Sequence, residues 1–387
     1  MSITETSMAV DFGGLSVPIV DESADERTPW LAEALEERFR PTQRGLIVEN
    51  RARRSPTYFL RSDEFELWLG EVEEHLQMTL GRRLAHASAE SEEWRQGAAD
   101  RVPPTPFFKR QEKQLEWANE DLKLRGLGTL EVMSAEGKQA TLLVRDRAHP
   151  AIAAGIAVSI WERLTEQRFR FHWTDDGTSE SLITLELDER SIPAAEAVDG
   201  RWRDAEGTDA DMGGMHPLSL ARHEGPGNWT IDGGRMMSVT QDMMVRFEET
   251  ALPHLVDKTR DAEPNCEWEG VTDAERVKLW DAFAEASRQR FIAAGEMVLV
   301  AEPENWIHVG QRFLSRVGLG GVDSAESIDK HGGVRLTLNA VFHPAMTVGT
   351  LLGAWQRAEA RPAVAIWSQG RAGHIVELRP KHDISEG

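Results

Sequence analysis

Apolar positions along this chain switch between a helical period and a period of two. Phe65, Trp68, Leu69, Val72 and Leu76 fall at helical spacing after Ser62-Asp63-Glu64, which predicts a capped amphipathic helix. Met243, Met244, Phe247 and Leu255 follow Thr240-Gln241-Asp242 in the same manner, and a further helix is predicted over 274–294 with Thr272 or Asp273 as its cap. β-prone runs at 129–133 and 139–144 flank Ser134-Ala135-Glu136-Gly137, which is read as the turn between them. Pro150 then opens a helix, since a first-turn residue has no intrahelical N–H bond to lose, and His149 takes the cap position. Ile152, Ile156, Ile160 and Leu164 form its apolar stripe. In Arg168–Trp173 the pattern changes again: Phe169, Phe171 and Trp173 share one face, Arg168, Arg170 and His172 the other. Asp176-Gly177 turns this strand back into Ile183, Leu185 and Leu187.

The same order recurs later in the chain. His149-Pro150-Ala151-Ile152 returns as His343-Pro344-Ala345-Met346, and the same offset pairs Gly155 with Gly349, Trp161 with Trp355 and Trp173 with Trp367. Gly126-Leu127-Gly128 matches Gly318-Leu319-Gly320 once two residues are inserted. Val334, Leu336, Leu338 and Ala340 alternate with polar residues as a half-buried strand does, and 363–367 turns through 370–373 into 374–378. The reading is an α+β chain of two tandem repeats, each with N-terminal helices followed by a small antiparallel sheet carrying one packed helix. The first unit spans 1–190 and the second 233–387. Residues 191–232, rich in Gly, Asp, Glu and Pro, are read as a linker, with a smaller break at 101–108.

Charge narrows the partners. The chain has 387 residues and a net charge of −21, which opposes any general affinity for nucleic acid or an anionic membrane. The longest apolar stretch, 150–161, is too short to span a bilayer, and the opening residues lack the basic start of a secretory signal. A cytoplasmic location is the expectation. One cysteine, Cys266, excludes an internal disulfide and a four-cysteine zinc site, and its acidic neighbours disfavour the thiolate. Thirteen Trp accompany a single Tyr, Tyr58.

From Gly126-Leu127-Gly128-Thr129-Leu130-Glu131-Val132, through Gly137, into a helix and an aromatic hairpin, the chain resembles the 4-vinyl-reductase-like domain family. That family belongs to a superfamily with haem-nitric-oxide-binding domains and core subunits of TRAPP tethering complexes. Tyr58-Phe59-Leu60-Arg61 resembles the family's entry from strand to helix, and the likeness is best over 55–187 and poorer over 235–380. The resemblance implies small-molecule binding, often of hydrophobic or aromatic ligands, and dimerisation, here met by the two units pairing within one chain. Family members often carry cysteines in the closing hairpin. Neither 175–181 nor 370–373 contains one, so a thiol-dependent metal role does not carry over.

The candidate ligand-binding residues are His149, Trp161, Phe171, Trp173, His343, Trp355 and Trp367, set against the plainer reading of caps and core packing. Met236, Met237, Met243 and Met244 offer an adaptable apolar wall or ordinary core. Asp199, Asp204, Asp209 and Asp211 lack the spacing of a calcium loop and are read as a solvated acidic stretch; no metal ligands are assigned. No phosphate-binding loop, nucleophile elbow, HExxH or CxxC motif is present. The functional expectation is a non-catalytic protein binding an apolar or planar small molecule, with no cofactor named. Its alternatives are a structural or adaptor subunit that uses the repeated unit as an interaction platform, with a protein partner or a second copy, and an enzyme or accessory factor of tetrapyrrole metabolism.

Overall fold

A computed structural model describes residues 28–50, 55–97, 110–198, 200, 202, 209, 216–255, 264–370 and 373–381. The break predicted at 101–108, and Asp199, Asp204 and Asp211, lie outside the described residues. The chain begins with helix α1 (Pro29–Arg38), strands β1 (Phe39–Pro41), β2 (Ile47–Glu49) and β3 (Pro56–Arg61), and helices α2 (Ser62–Leu76), α3 (Gly81–Gly97) and α4 (Arg110–Leu124). It continues through β4 (Thr129–Glu136), β5 (Gln139–Arg145), α5 (Pro150–Thr165), β6 (Phe169–Thr174) and β7 (Ser181–Leu187). Then come β8 (Arg222–Gly225), β9 (Asn228–Ile231), β10 (Gly234–Thr240), α6 (Gln241–Ala251), β11 (Cys266–Trp268), α7 (Ala274–Ala293) and α8 (Asn305–Phe313). The last elements are β12 (Gly320–Ser327), β13 (Val334–Val341), α9 (Pro344–Glu359), β14 (Ala363–Gly370) and β15 (Gly373–Pro380).

This is the predicted α+β class, with mixed helices and antiparallel sheets. A four-stranded sheet runs β4-β5-β7-β6, and the matching strands of a five-stranded sheet run β12-β13-β15-β14. The extra strand, β11, pairs in parallel with β14 and covers the edge that β6 leaves uncovered among the described strands. The predicted turn before β5 moves: Ser134, Ala135 and Glu136 stay in β4 opposite Thr141, Ala140 and Gln139, leaving Gly137-Lys138 to reverse the chain. A bulge between Val132 and Ser134 absorbs the extra residue, Met133.

A third sheet joins the halves. Its order is β1-β2-β3-β10-β9-β8, and β3 meets β10 antiparallel with Phe59 opposite Ser238. Residues 222–231 thus belong to a sheet, although they sit in the stretch read as linker. Trp202, from the same stretch, is fully buried and donates its indole N–H to the Phe342 carbonyl at 3.3 Å. Those strands escaped notice because each has only four residues, too few to show a period.

Helix α3 packs along α5, and α7 along α9. Glycine sets both crossings. A Cβ on Gly155 would lie 2.1 Å from the Ala85 carbonyl oxygen, and one on Gly349 would lie 2.1 Å from that of Ala284. Only a residue without a Cβ allows backbones to approach so closely. Other caps follow the sequence: the Thr240 hydroxyl accepts from Met243 N–H, and the Asp273 carboxylate accepts from Glu275 and Arg276. Among the described residues no helix is long and apolar enough to cross a membrane.

Candidate functional site

The seven expected ligand residues do not converge. His343, fully buried, accepts from Ala345 N–H through Nδ1 at 3.2 Å and approaches Glu248 with Nε2 at 3.3 Å. Trp202, Phe283 and Trp280 surround its ring, and burial, followed by the charge of Arg276, pushes its pKa down to about 3. His149 is also buried, packs edge-on against Phe65, and makes no side-chain cap. Burial and then Arg147 hold it at about 4. Both rings are therefore neutral packing elements at helix starts.

Trp161 is buried against Phe169, and Trp355 donates to the Gly332 carbonyl at 2.9 Å. Trp367 packs with Trp268 and Trp280 in an aromatic core, whereas Trp173 is half-buried and stacks on Phe171. Phe171 faces a groove of about 500 Å³ beside β6. A neighbouring surface cleft of about 850 Å³ is ringed by charge, but its Arg168 and Arg190 already pair with Glu93, Glu162 and Asp188. Cys266 is buried, and burial, then Asp281 and Glu285, pushes its thiol up, so it is no nucleophile. Among the described residues, no group of three or more His, Cys, Asp or Glu is placed to hold a metal ion.

Another opening lies where the halves meet. A cleft of about 540 Å³ is walled by Tyr58, Phe59 and Leu60 of β3, Trp68 of α2, Met236 of β10, Phe291 of α7, Phe313 of α8 and Met346 of α9. Its volume is ordinary for a small-molecule site, and its wall combines these apolar residues with six charged ones, Arg61, Glu64, Asp232, Arg290, Glu296 and Arg316. Met236 is the single member of the expected methionine wall to reach it; Met237, Met243 and Met244 are core.

Several close contacts recur in the first and second parts of the chain. Ala85 and Ala284 meet the two helical glycines alike, and Ser88 and Ser287 each donate to the carbonyl four residues back. A Cβ on Gly126 would strike the Met236 carbonyl, and one on Gly318 that of Thr57; Gly45 and Gly227 lie against the backbones of Gly320 and Gly128. Counting along each segment from these anchors aligns Ile231, Phe291, Ala294, Phe313 and Val317 with Glu49, Glu92, Arg95, Asp121 and Arg125. The first five all line the cleft. The second five, with Arg38, form a buried cluster of charges. Arg38 meets Glu49 at 2.6 Å and Asp121 at 2.5 Å, Arg125 meets Glu92 at 2.7 Å, and Arg95 pairs with Glu49, Glu92 and Asp121. Against the cost of burial, Arg125 and Arg95 hold Glu92 at about 2, and Arg38, Arg95 and Arg125 hold Asp121 well below its usual range. The five charged residues are thus buried together, whereas the five aligned with them border an opening.

No family model matches the chain, and no curated protein matches its sequence.

The cleft was not visible in the sequence because its walls come from segments near 58–68, 217–236 and 287–350. A signal did exist: aligning the halves beyond their shared His-Pro segment sets aromatic and aliphatic residues opposite charged ones.

Proposed function

We propose that this chain is a non-catalytic binding protein for an apolar small molecule, held in the cleft between its halves. The carrying observation is the replacement of five buried charged positions by Ile231, Phe291, Ala294, Phe313 and Val317, which line an opening of about 540 Å³. A buried charge cluster excludes an apolar guest; the apolar residues of the cleft wall favour one, by about 25 cal/mol for each Å² of apolar surface removed from water. In this reading the halves are two copies of one unit resembling the 4-vinyl-reductase-like domain, paired inside one polypeptide, and only one of the two equivalent places accepts a ligand. The matching strand orders and matching glycine contacts support the duplication.

Titration of the full chain with the neutral fluorophore Nile red tests the site. Saturable binding of one probe per chain is expected. Ala294→Trp, at an exposed residue on the cleft wall, should fill the opening and abolish that binding while leaving the far-ultraviolet circular dichroism unchanged. Saturable binding that is indifferent to Ala294→Trp would refute the assignment.

A further inference from the structure

The reading of the cleft as a ligand site leaves open which chemistry it prefers, and its polar atoms address that. Tyr58 is the chain's single tyrosine, and its ring is fixed in β3 opposite Val239 and against Phe342 at 5.5 Å. Among the described residues no hydrogen bond reaches its hydroxyl, although the side chain lines the cleft. The other hydroxyls on the wall are engaged as donors: Ser287 bonds to the Phe283 carbonyl at 2.8 Å and Thr350 to the Met346 carbonyl at 2.9 Å. Ser287 also accepts from the Trp68 indole at 3.0 Å.

Charged side chains at the cleft have partners of opposite sign. Arg61 pairs with Asp63 at 2.6 Å, Glu64 with Arg290 at 3.0 Å, Asp232 with Arg316 at 3.9 Å and Glu296 with Arg312 at 2.8 Å. A charged guest would have to compete with these pairs for a counter-ion and would give up hydration against the apolar residues of the wall.

Resting on the ligand-site reading, we infer that the cleft selects neutral, largely apolar molecules carrying one hydrogen-bond acceptor, such as a ketone oxygen, which the Tyr58 hydroxyl contacts. Burial and then the charge of Glu64 push that hydroxyl's pKa up, so it keeps its proton and donates. An unpaired polar atom facing a hydrocarbon guest loses its bond to water, and a guest that supplies the acceptor restores one.

Three naphthalene probes of similar size separate the possibilities: 2-acetylnaphthalene, 2-ethylnaphthalene and 2-naphthoate, each titrated calorimetrically into the full chain. The ketone should bind roughly three- to tenfold more tightly than the hydrocarbon, the span that one net hydrogen bond supplies, and the carboxylate more weakly than the ketone. Tyr58→Phe should remove the advantage of the ketone while leaving the hydrocarbon's affinity unchanged, so hydrocarbon binding also reports an intact fold. Equal affinity for ketone and hydrocarbon, a ketone advantage that survives Tyr58→Phe, or tightest binding by the carboxylate would overturn this inference and leave the cleft as an apolar site. Loss of all binding, or binding unaffected by Ala294→Trp, would remove the cleft reading and this inference with it.

Discussion

Gly155→Ala places one methyl group where α3 and α5 touch. The added carbon would lie 2.1 Å from the Ala85 carbonyl oxygen and 2.9 Å from the Ala89 nitrogen, both backbone atoms that no rotamer change can move. Relief requires the helices to part by about 1 Å along a contact between well-packed elements, the kind of overpacking that costs about 1–3 kcal/mol. The obstacle being backbone, the upper end applies, about 3 kcal/mol. Replacing a helical glycine by alanine returns about 1 kcal/mol of conformational entropy, so the net loss should be about 2 kcal/mol. Gly70 provides the control: it lies within α2, and a Cβ there meets nothing within 4 Å. Gly70→Ala should therefore stabilise the chain by about 0.5–1 kcal/mol. Urea unfolding followed by circular dichroism at 222 nm reads both. A Gly155→Ala midpoint at or above that of Gly70→Ala would refute the close approach of the helices. Gly349→Ala, facing Ala284 with the same spacing, should repeat the loss.

Further outcomes follow from the buried charges. His149 and His343 sit folded at about 4 and about 3, below the ordinary histidine value, so the unfolded chain binds protons that the folded chain refuses. Stability from each is complete above about pH 6.5 and drains away on acidification, by about 2 kcal/mol at pH 5. His343→Asn keeps a capping side chain and should remove about half of that acid dependence in urea melts between pH 7 and 5, His149 keeping the rest; an unchanged slope would rule out His343 as a source. Asp121→Ala leaves Arg38, Arg95 and Arg125 without a shared carboxylate and should cost about 3–5 kcal/mol by chemical unfolding. A loss below about 1 kcal/mol would show that the cluster is hydrated instead of sealed.

Much of the secondary structure was legible because its periods are clean. Ile152, Ile156 and Ile160 marked α5, and the alternation around Val334–Ala340 marked β13. Helix α3 was not legible, since its buried face carries Ser88, Ser91, Glu92, Arg95 and Gln96, which read as a solvated surface until partners such as Glu49 of β2, Asp121 of α4 and Thr240 of β10 are known. The tryptophans misled in the opposite sense. Large apolar rings suggested a pocket, yet Trp355 and Trp367 fill cores through contacts with neighbours far along the chain. A cleft is the space left between elements, and single-segment periodicity reports only the element.

The seam where β3 lies beside β10 has a consequence for assembly. Each half lends its leading hairpin to the other: the Gly320 N–H donates to Gly45 and the Gly128 N–H to Gly227, both at 3.1 Å. A handshake that is alike from both sides does not require its two hands to belong to one body. The stretch between β7 and β8 is more than a tether, because Trp202 within it is buried and bonded to Phe342, so shortening it would take a wedge out of the core as well as loosen the embrace.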